Sequence, residues 1–406
     1  MLHRSGAVLL SAALVFSSGC VGPSSAAHEA GSADSTPRRE VRMLVLEGTP
    51  YERGLTHGRT LKKEIHEVVA LWKAQVGSQH GTDPDAFIRR FLDATDFAPA
   101  IRRWTPGLLE EVRGIAEGAE MDFDTIYAFQ LMDEIWLYES GLQGEACSAI
   151  ALEKQGERPT LVAQNMDLEP FREGYQVLFH VKHPDSDLES LFLTCAGLIV
   201  TTGMNNSPLG VVVNAMGQMD HGREGLPVAF VVRGLLEHKS LEEAVGFLKT
   251  VKHASGQNYI LGDSHHVVDL EVSTNQMAAF TSETSPGVIL HTNHPRVLTD
   301  YHARYQESLA GGATPMGLGE NTHVRLAALE ARLGEKAGPL GIDDIKSTLS
   351  SQDSEEHPVC RPHDPSKSSF TFGTVIQVLS GHPELHLAPG PPNVTPFQVF
   401  SFAQGS

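Results

Sequence analysis

The sequence predicts an α+β protein in which antiparallel sheets are covered by helices. Apolar residues recur at helical spacing through the first third of the chain, and near Gly144 the pattern gives way to short runs of β-forming residues. The order is helices, a strand block, helices, and a second strand block. It does not alternate as a βαβ barrel or a Rossmann sheet requires, and no internal repeat is evident.

The elements follow in order. Val41 to Glu47 alternate as a strand, and Gly48-Thr49-Pro50 turns the chain. Leu61, Ile65, Val68, Val69 and Trp72 share one helix face. Thr105 is a plausible N-cap for a second helix, with Pro106 in its first turn, where the missing N–H costs nothing. A third apolar stripe runs from Phe123 to Ile135. Strands are expected at 147–152, 160–164, 175–181, 191–200 and 210–214, separated by turn signals at Gly156, Pro184-Asp185 and Asn206-Ser207-Pro208. Helices at 228–238 and 241–251 precede strands at 258–261, 267–273, 277–281 and 288–291. Helices return at 322–333 and 342–352, and the tail from Phe370 to Phe402 again has strand character.

The totals narrow the function classes. The chain has 406 residues, 41% apolar and 20% charged, as an ordinary globular protein has. A net charge of −19 argues against a nucleic-acid partner, because phosphate binding needs a basic face.

The N-terminus reads as an export signal. His3 or Arg4 precedes the apolar run Ala7 to Phe16, too short to span a bilayer, and Ser17-Ser18-Gly19-Cys20 follows. That ending resembles a bacterial lipobox, in which Cys20 is lipidated, although Ser17 stands where Leu is usual. Cleavage after Ala26 or Ala27 is the alternative. Residues 1–20 are thus the signal, 21–40 a flexible linker, 41–146 a mainly helical chain and 147–406 the strand-rich chain. The localisation expected is the periplasm or an outer-membrane lipid anchor, with secretion open. On arithmetic alone an oxidising compartment favours a Cys195–Cys360 disulfide and leaves Cys147 odd.

Common catalytic signatures fail. His66-Glu67 lacks the second His of a zinc-protease helix, and neither G-x-S-x-G nor a phosphate-cradling loop occurs. His357, Cys360 and His363 lie in a Pro-rich stretch without a second ligand pair, so no metal or cofactor is expected. What remains is a series: Glu145-Ala146-Cys147-Ser148, Gln164-Asn165-Met166-Asp167, Asn205-Asn206 to Asn214, His291-Thr292-Asn293-His294-Pro295, and Thr322-His323-Val324-Arg325.

In that order, and with Gly48…Tyr51-Glu52-Arg53-Gly54…His57-Gly58 ahead of it, the series resembles the acyl-coenzyme A:6-aminopenicillanic acid acyltransferase group of N-terminal-nucleophile hydrolases, relatives of penicillin V acylase and bile-salt hydrolase. The resemblance covers Val41 to the C-terminus. It implies a four-layer αββα sandwich with two antiparallel sheets between helical layers. It also implies self-cleavage between Ala146 and Cys147, with Cys147 as nucleophile for that step and for the substrate. Asp167 matches the acidic residue that orients the new α-amine. Asn214 and Asn293 match asparagines near the oxyanion and the amine, and Arg325 an arginine organising the same pocket. Gln164 and Asn165 are candidates for substrate binding. Gln164 stands where the bile-salt branch has Arg, which points away from that branch, and Ala146 where the penicillin acyltransferase has Gly.

The chemistry suits these residues. A thiol of pKa ~8.5 needs a base, and an α-amine of pKa ~7.7–8 supplies one on the same residue. Neutral amide donors suit a developing oxyanion, where one donor is worth ~3–4 kcal/mol. The expected reaction is hydrolysis of a small-molecule N-acyl amide through a thioester, the two chains staying associated after cleavage. Acyl transfer to an amine, and a non-catalytic exported binding lipoprotein on the same fold, are the competing readings.

Overall fold

The computed structural model describes residues 40–139, 147–283, 285–334 and 339–402. The first strand β1 (Arg42–Leu46) leads into helix α1 (Pro50–Thr60), whose start is held by a reciprocal cap. The Glu52 amide donates to Thr49 Oγ1, and the Thr49 amide donates to Glu52 Oε2 at 2.8 Å. Helices α2 (Lys62–His80), α3 (Pro84–Ala94), α4 (Ala98–Trp104), α5 (Pro106–Ala119), α6 (Phe123–Phe129) and α7 (Met132–Glu139) follow. Thr105 does precede α5, but its hydroxyl donates back to Ile101 O and does not cap the helix ahead.

Strands β2 (Cys147–Leu152), β3 (Leu161–Leu168), β4 (Gln176–Lys182), β5 (Glu189–Cys195), β6 (Thr202–Asn205) and β7 (Gly210–Ala215) come next, before helices α8 (Val228–Leu235) and α9 (Leu241–Thr250). Then come β8 (Gln257–Gly262), β9 (Val267–Val272), β10 (Met277–Phe280) and β11 (Val288–His291). Helices α10 (Ala303–Ala310), α11 (Pro315–Leu318), α12 (Glu320–Gly334) and α13 (Ile342–Leu349) precede β12 (Phe370–Val378), β13 (Glu384–Ala388) and β14 (Gln398–Ser401).

Two sheets result. One has the order β1-β4-β5-β6-β7-β8-β9-β10 and the other β11-β2-β3-β12-β13-β14. Every pairing is antiparallel except β1 with β4. The sheets stack face to face, so that a Cβ on Gly262 of the first would meet Val162 of the second at 2.7 Å. Period-two alternation then assigns the faces. Cys147, Ala149, Gln164 and Met166 face the other sheet. Ile150, Leu152 and Leu161 turn outward, onto Leu329, Leu333, Ile345 and Leu349 of α12 and α13. On the far side Ile65 and Phe129 pack against Gly197, in the turn that follows β5 of the eight-stranded sheet. This is the four-layer αββα sandwich that the resemblance implied.

Two features of this frame shape the site. Helices α1 and α5 touch backbone to backbone at Gly54 and Gly114, and a Cβ on Gly54 would stand 1.9 Å from the Glu111 carbonyl oxygen. And β6 pairs with β7 only at Gly203–Val211 and Met204–Gly210, which leaves Val212 to Ala215 without a ladder partner on that side. The sheet opens there.

One expectation is corrected. Cys195 and Cys360 are both free thiols. Cys195 ends β5 in the eight-stranded sheet, whereas Cys360 lies in the loop before β12 and donates to Asn393 Oδ1 at 3.2 Å. One closes a strand of the eight-stranded sheet and the other lies in the loop that leads into the six-stranded sheet, a separation that residue arithmetic does not carry. Burial pushes the first thiol up to about 11 and the second to about 12, which disfavours the thiolate at both.

Candidate active site

Cys147 opens β2, paired with Met166, and is 4% exposed. Its backbone N–H donates to Asn293 Oδ1 at 2.7 Å. Arg325, projecting from α12, reaches the same point. Its Nη1 donates to the Cys147 carbonyl at 2.5 Å and to Ser148 Oγ at 2.9 Å, and its Nη2 donates to Asn293 Oδ1 at 2.8 Å. Burial, and then Arg361, pull this guanidinium down to about 10, against the opposing charge of Asp167. It therefore remains a cation at neutral pH, held beside the strand that carries the thiol.

Asn293 is itself tied down from three sides. Its Nδ2 donates to Ala215 O at 3.0 Å, on the open edge of β7. Its amide donates to Thr322 Oγ1 at 2.6 Å, and its carbonyl accepts from Gln218 Nε2 at 3.0 Å. The following turn rests on Glu271 of β9. This carboxylate is fully buried and accepts from the amides of Arg296, Val297 at 3.0 Å and Leu298 at 2.7 Å. It also faces His291 Nε2 at 3.1 Å, while His291 Nδ1 faces Thr292 O at 2.7 Å. Two acceptors around one ring call for the imidazolium. Burial alone would push His291 down, but Asp269 and Glu271 outweigh it and its pKa is raised. Burial would likewise push Glu271 up; the histidine and the amides hold it below the usual carboxylate range.

The remaining predicted residues divide by face. Gln164 points between the sheets and donates to Val213 O through the gap that short β6 leaves. Asn165 and Asp167 lie on the other face of β3. Asn165 is saturated there, donating to Leu349 O and Val359 O and accepting from Thr374 Oγ1. Asp167 accepts from Thr371 Oγ1 at 2.7 Å and pairs with Arg361 Nε at 3.1 Å. Burial raises its pKa; Arg361 and Arg325 act in the opposite direction. Asn214 faces the space between the sheets, buried, with neither side-chain polar atom hydrogen-bonded among the described residues. The structure thus brings Cys147, Asn293 and Arg325 into direct contact and sets the others around them. Ala146 and Cys20 lie outside the described residues.

Cys147 borders a cavity of about 60 Å³ that occupies the opening beside β7. Its wall joins Met166 and Leu168 of one sheet to Val213 and Ala215 of the other, and then to Val228 and Val232 of α8. Asp133 and Gln257 also line it. Neither stood out in the sequence, nor did Glu271, since single polar residues on a helix end or a strand carry no motif. Glu271 had one trace, as a buried-strand carboxylate within Val267 to Val272. No helix among the described residues is long and apolar enough to cross a membrane.

The four-layer αββα sandwich is the fold of the N-terminal-nucleophile hydrolases, and Cys147 stands at the head of β2 within it. Residues 153–380, more than half of the chain, match the family described as acyl-coenzyme A:6-aminopenicillanic acid acyl-transferase, and the chain belongs to this family. The match contains Asp167, Asn214, Asn293 and Arg325 and starts just after Cys147. Protein dcd1A of Dictyostelium discoideum is 24% identical over 234 residues, 52% of this chain and 53% of that protein. The chain therefore spans about half the length of that curated relative. Among solved structures, a mutant conjugated bile acid hydrolase from Clostridium perfringens is 14% identical with a TM-score of 0.40, covering 63% of this chain and 97% of its own. Penicillin V acylase from Agrobacterium tumefaciens is 13% identical with a TM-score of 0.36, covering 64% and 86%.

Proposed function

We propose that the protein is an exported, self-processing cysteine amidohydrolase that cleaves linear N-acyl amides. The observation that carries this reading is the contact of the Cys147 nitrogen with Asn293 Oδ1, locked from behind by Arg325 and opening on a cavity. After cleavage that nitrogen becomes the α-amine, and Asn293 would hold it where it can take the thiol proton.

In the first step Cys147 Sγ attacks the carbonyl of Ala146. The peptide becomes a thioester, the nitrogen is released as an amine, and water hydrolyses the thioester to leave a carboxylate on Ala146. In turnover the α-amine accepts the thiol proton and the thiolate attacks the substrate carbonyl. The proton passes to the departing amine, and water resolves the acyl-enzyme. Asn214, a buried donor without a hydrogen-bond partner among the described residues, is suited to the oxyanion. Asp167 acts at one remove, through its charge on Arg325.

Intact-mass measurement tests the reading. The expected result is two chains split before residue 147, and a single chain for Cys147→Ala with amidase activity down by about 10³-fold or more. An uncut wild-type chain that ignores thiol probes, or a Cys147→Ala chain that still splits there, would overturn it.

A further inference from the structure

The cavity beside Cys147 is apolar over most of its wall, but its unmet hydrogen-bonding capacity is of one kind. Gln257 is 1% exposed. Its Nε2 donates to Asp133 Oδ2 at 2.9 Å and to Ser255 Oγ at 3.3 Å. The Ser255 hydroxyl in turn donates to Glu134 Oε1 at 3.0 Å, so the amide has its nitrogen turned to Asp133 and Ser255. Its Oε1 is left as a buried acceptor with no hydrogen-bond partner among the described residues.

The other polar wall residues are spent. Gln130 donates to Ile126 O and Gly197 O and accepts from the Ile199 amide. The Thr201 hydroxyl donates to Leu193 O at 2.6 Å. Arg172, a neighbouring cation, is engaged by Glu169 at 2.7 Å. What the pocket offers a ligand is therefore the Asp133 carboxyl, whose pKa burial raises and a bound cation would lower, and a carbonyl oxygen, in apolar surroundings. A buried acceptor left unpaired costs ~1–3 kcal/mol, so a ligand bearing N–H groups is favoured there.

We propose that this pocket takes a short acyl group ending in an ammonium, held by Asp133 and Gln257 Oε1, so that the substrates are amides of small ω-amino acids. The inference rests on Cys147 being the nucleophile. The acyl part stays bonded to Sγ through the thioester and so occupies the enclosed space beside the thiol, while the amine departs. A water needs roughly 10–15 Å³ of such volume, so about 60 Å³ accepts on the order of five non-hydrogen atoms. A 3-aminopropanoyl or 4-aminobutanoyl chain fits, and its methylenes meet Val213, Val228 and Val232.

The test uses the full-length protein and two sets of amides of one chromogenic amine, acylated with 3-aminopropanoyl and 4-aminobutanoyl or with butanoyl and pentanoyl groups. The expected result is an amino-over-neutral preference in kcat/KM that falls by about 10- to 100-fold in Asp133→Asn, the loss of one charged hydrogen bond. Circular dichroism and thiol titration of the variant confirm that it folds. Acyl-enzyme mass spectra separate the two layers of the argument. If only the neutral acyl groups accumulate on Cys147, the nucleophile reading stands and this proposal falls. If no acyl group appears on Cys147, the nucleophile reading falls first. A preference unchanged by Asp133→Asn, or an ammonium required on the departing amine instead, also overturns the proposal.

Discussion

At the scale of single residues, the site is a problem in holding one amide still. Asn293 must present its Oδ1 to the Cys147 nitrogen, and its Nδ2 is spent on Ala215 O to fix that orientation. Glu271 fixes the turn that follows by accepting from three consecutive amides. Glu271→Gln replaces one carboxylate oxygen with an amide nitrogen, which cannot accept and meets an N–H head-on. The expected outcome is a kcat down by about 10-fold or more with KM little changed, because misplacement acts on the reacting geometry. It should be accompanied by a downward shift of the His291 titration, read by NMR. Restored kcat in Glu271→Asp would support a positioning role, and an unaffected kcat in Glu271→Gln would rule it out. The residues in direct contact were legible because they stood in ordered motifs. Glu271, Asp133 and Gln257 were not, since each gains its role from neighbours about 20 to 125 residues away.

At the scale of elements, most helices and strands followed from periodicity, and the departures have physical causes. The Gly48-Thr49-Pro50 turn is also a capping box that starts α1, an element whose glycines and charges hid its helical face. Short β6 falls between the strands expected at 191–200 and 210–214, where the sequence predicts none, yet its shortness opens the sheet for the cavity. The glycines of α1 have a packing reason. Gly54 and Gly114 let α1 and α5 approach to backbone contact, and this brings Glu111 between Arg53 and Arg233, with Nη–Oε distances of 3.1 and 2.6 Å. Gly54→Ala should therefore destabilise the protein by about 3 kcal/mol or more, measured by denaturant unfolding, because both partners at that crossing are main chain and cannot yield. An ordinary exposed glycine-to-alanine change in a helix would stabilise it instead.

At the scale of the whole molecule, two buried histidines, His57 and His253, contribute to the response to acid. His57 is fully buried and its Nε2 accepts from the Gly197 amide at 3.0 Å, so it is neutral in the fold. Burial pushes it down to about 4, and His253 likewise. An unfolded histidine titrates near ~6.5, so the unfolded chain takes up protons first as the pH falls. The stability these groups contribute is present above about pH 6.5 and is lost between there and about pH 4, on the order of 2–3 kcal/mol for each. Glu134, raised to about 8, and Asp269, raised to about 6, act in the opposite sense, so the check is a difference between variants. Between pH 7.5 and 5 the Tm of His253→Gln should change less in the destabilising direction than that of the wild type; an identical change in both would contradict the assignment.

By itself the sequence determined the α+β class, the break between helical and strand-rich parts, and Cys147, Asn293 and Arg325 as residues of one site. Those signals are local: periodicity, turn residues and short ordered motifs survive in one dimension. Only the tertiary structure decided that Asn165 and Asp167 face away from the cavity, that Cys195 and Cys360 remain unpaired on separate elements, and that Asp133 and Gln257 meet beside Cys147. Facing, separation and meeting depend on strand register and sheet stacking, which non-local pairing sets and no short window of residues records.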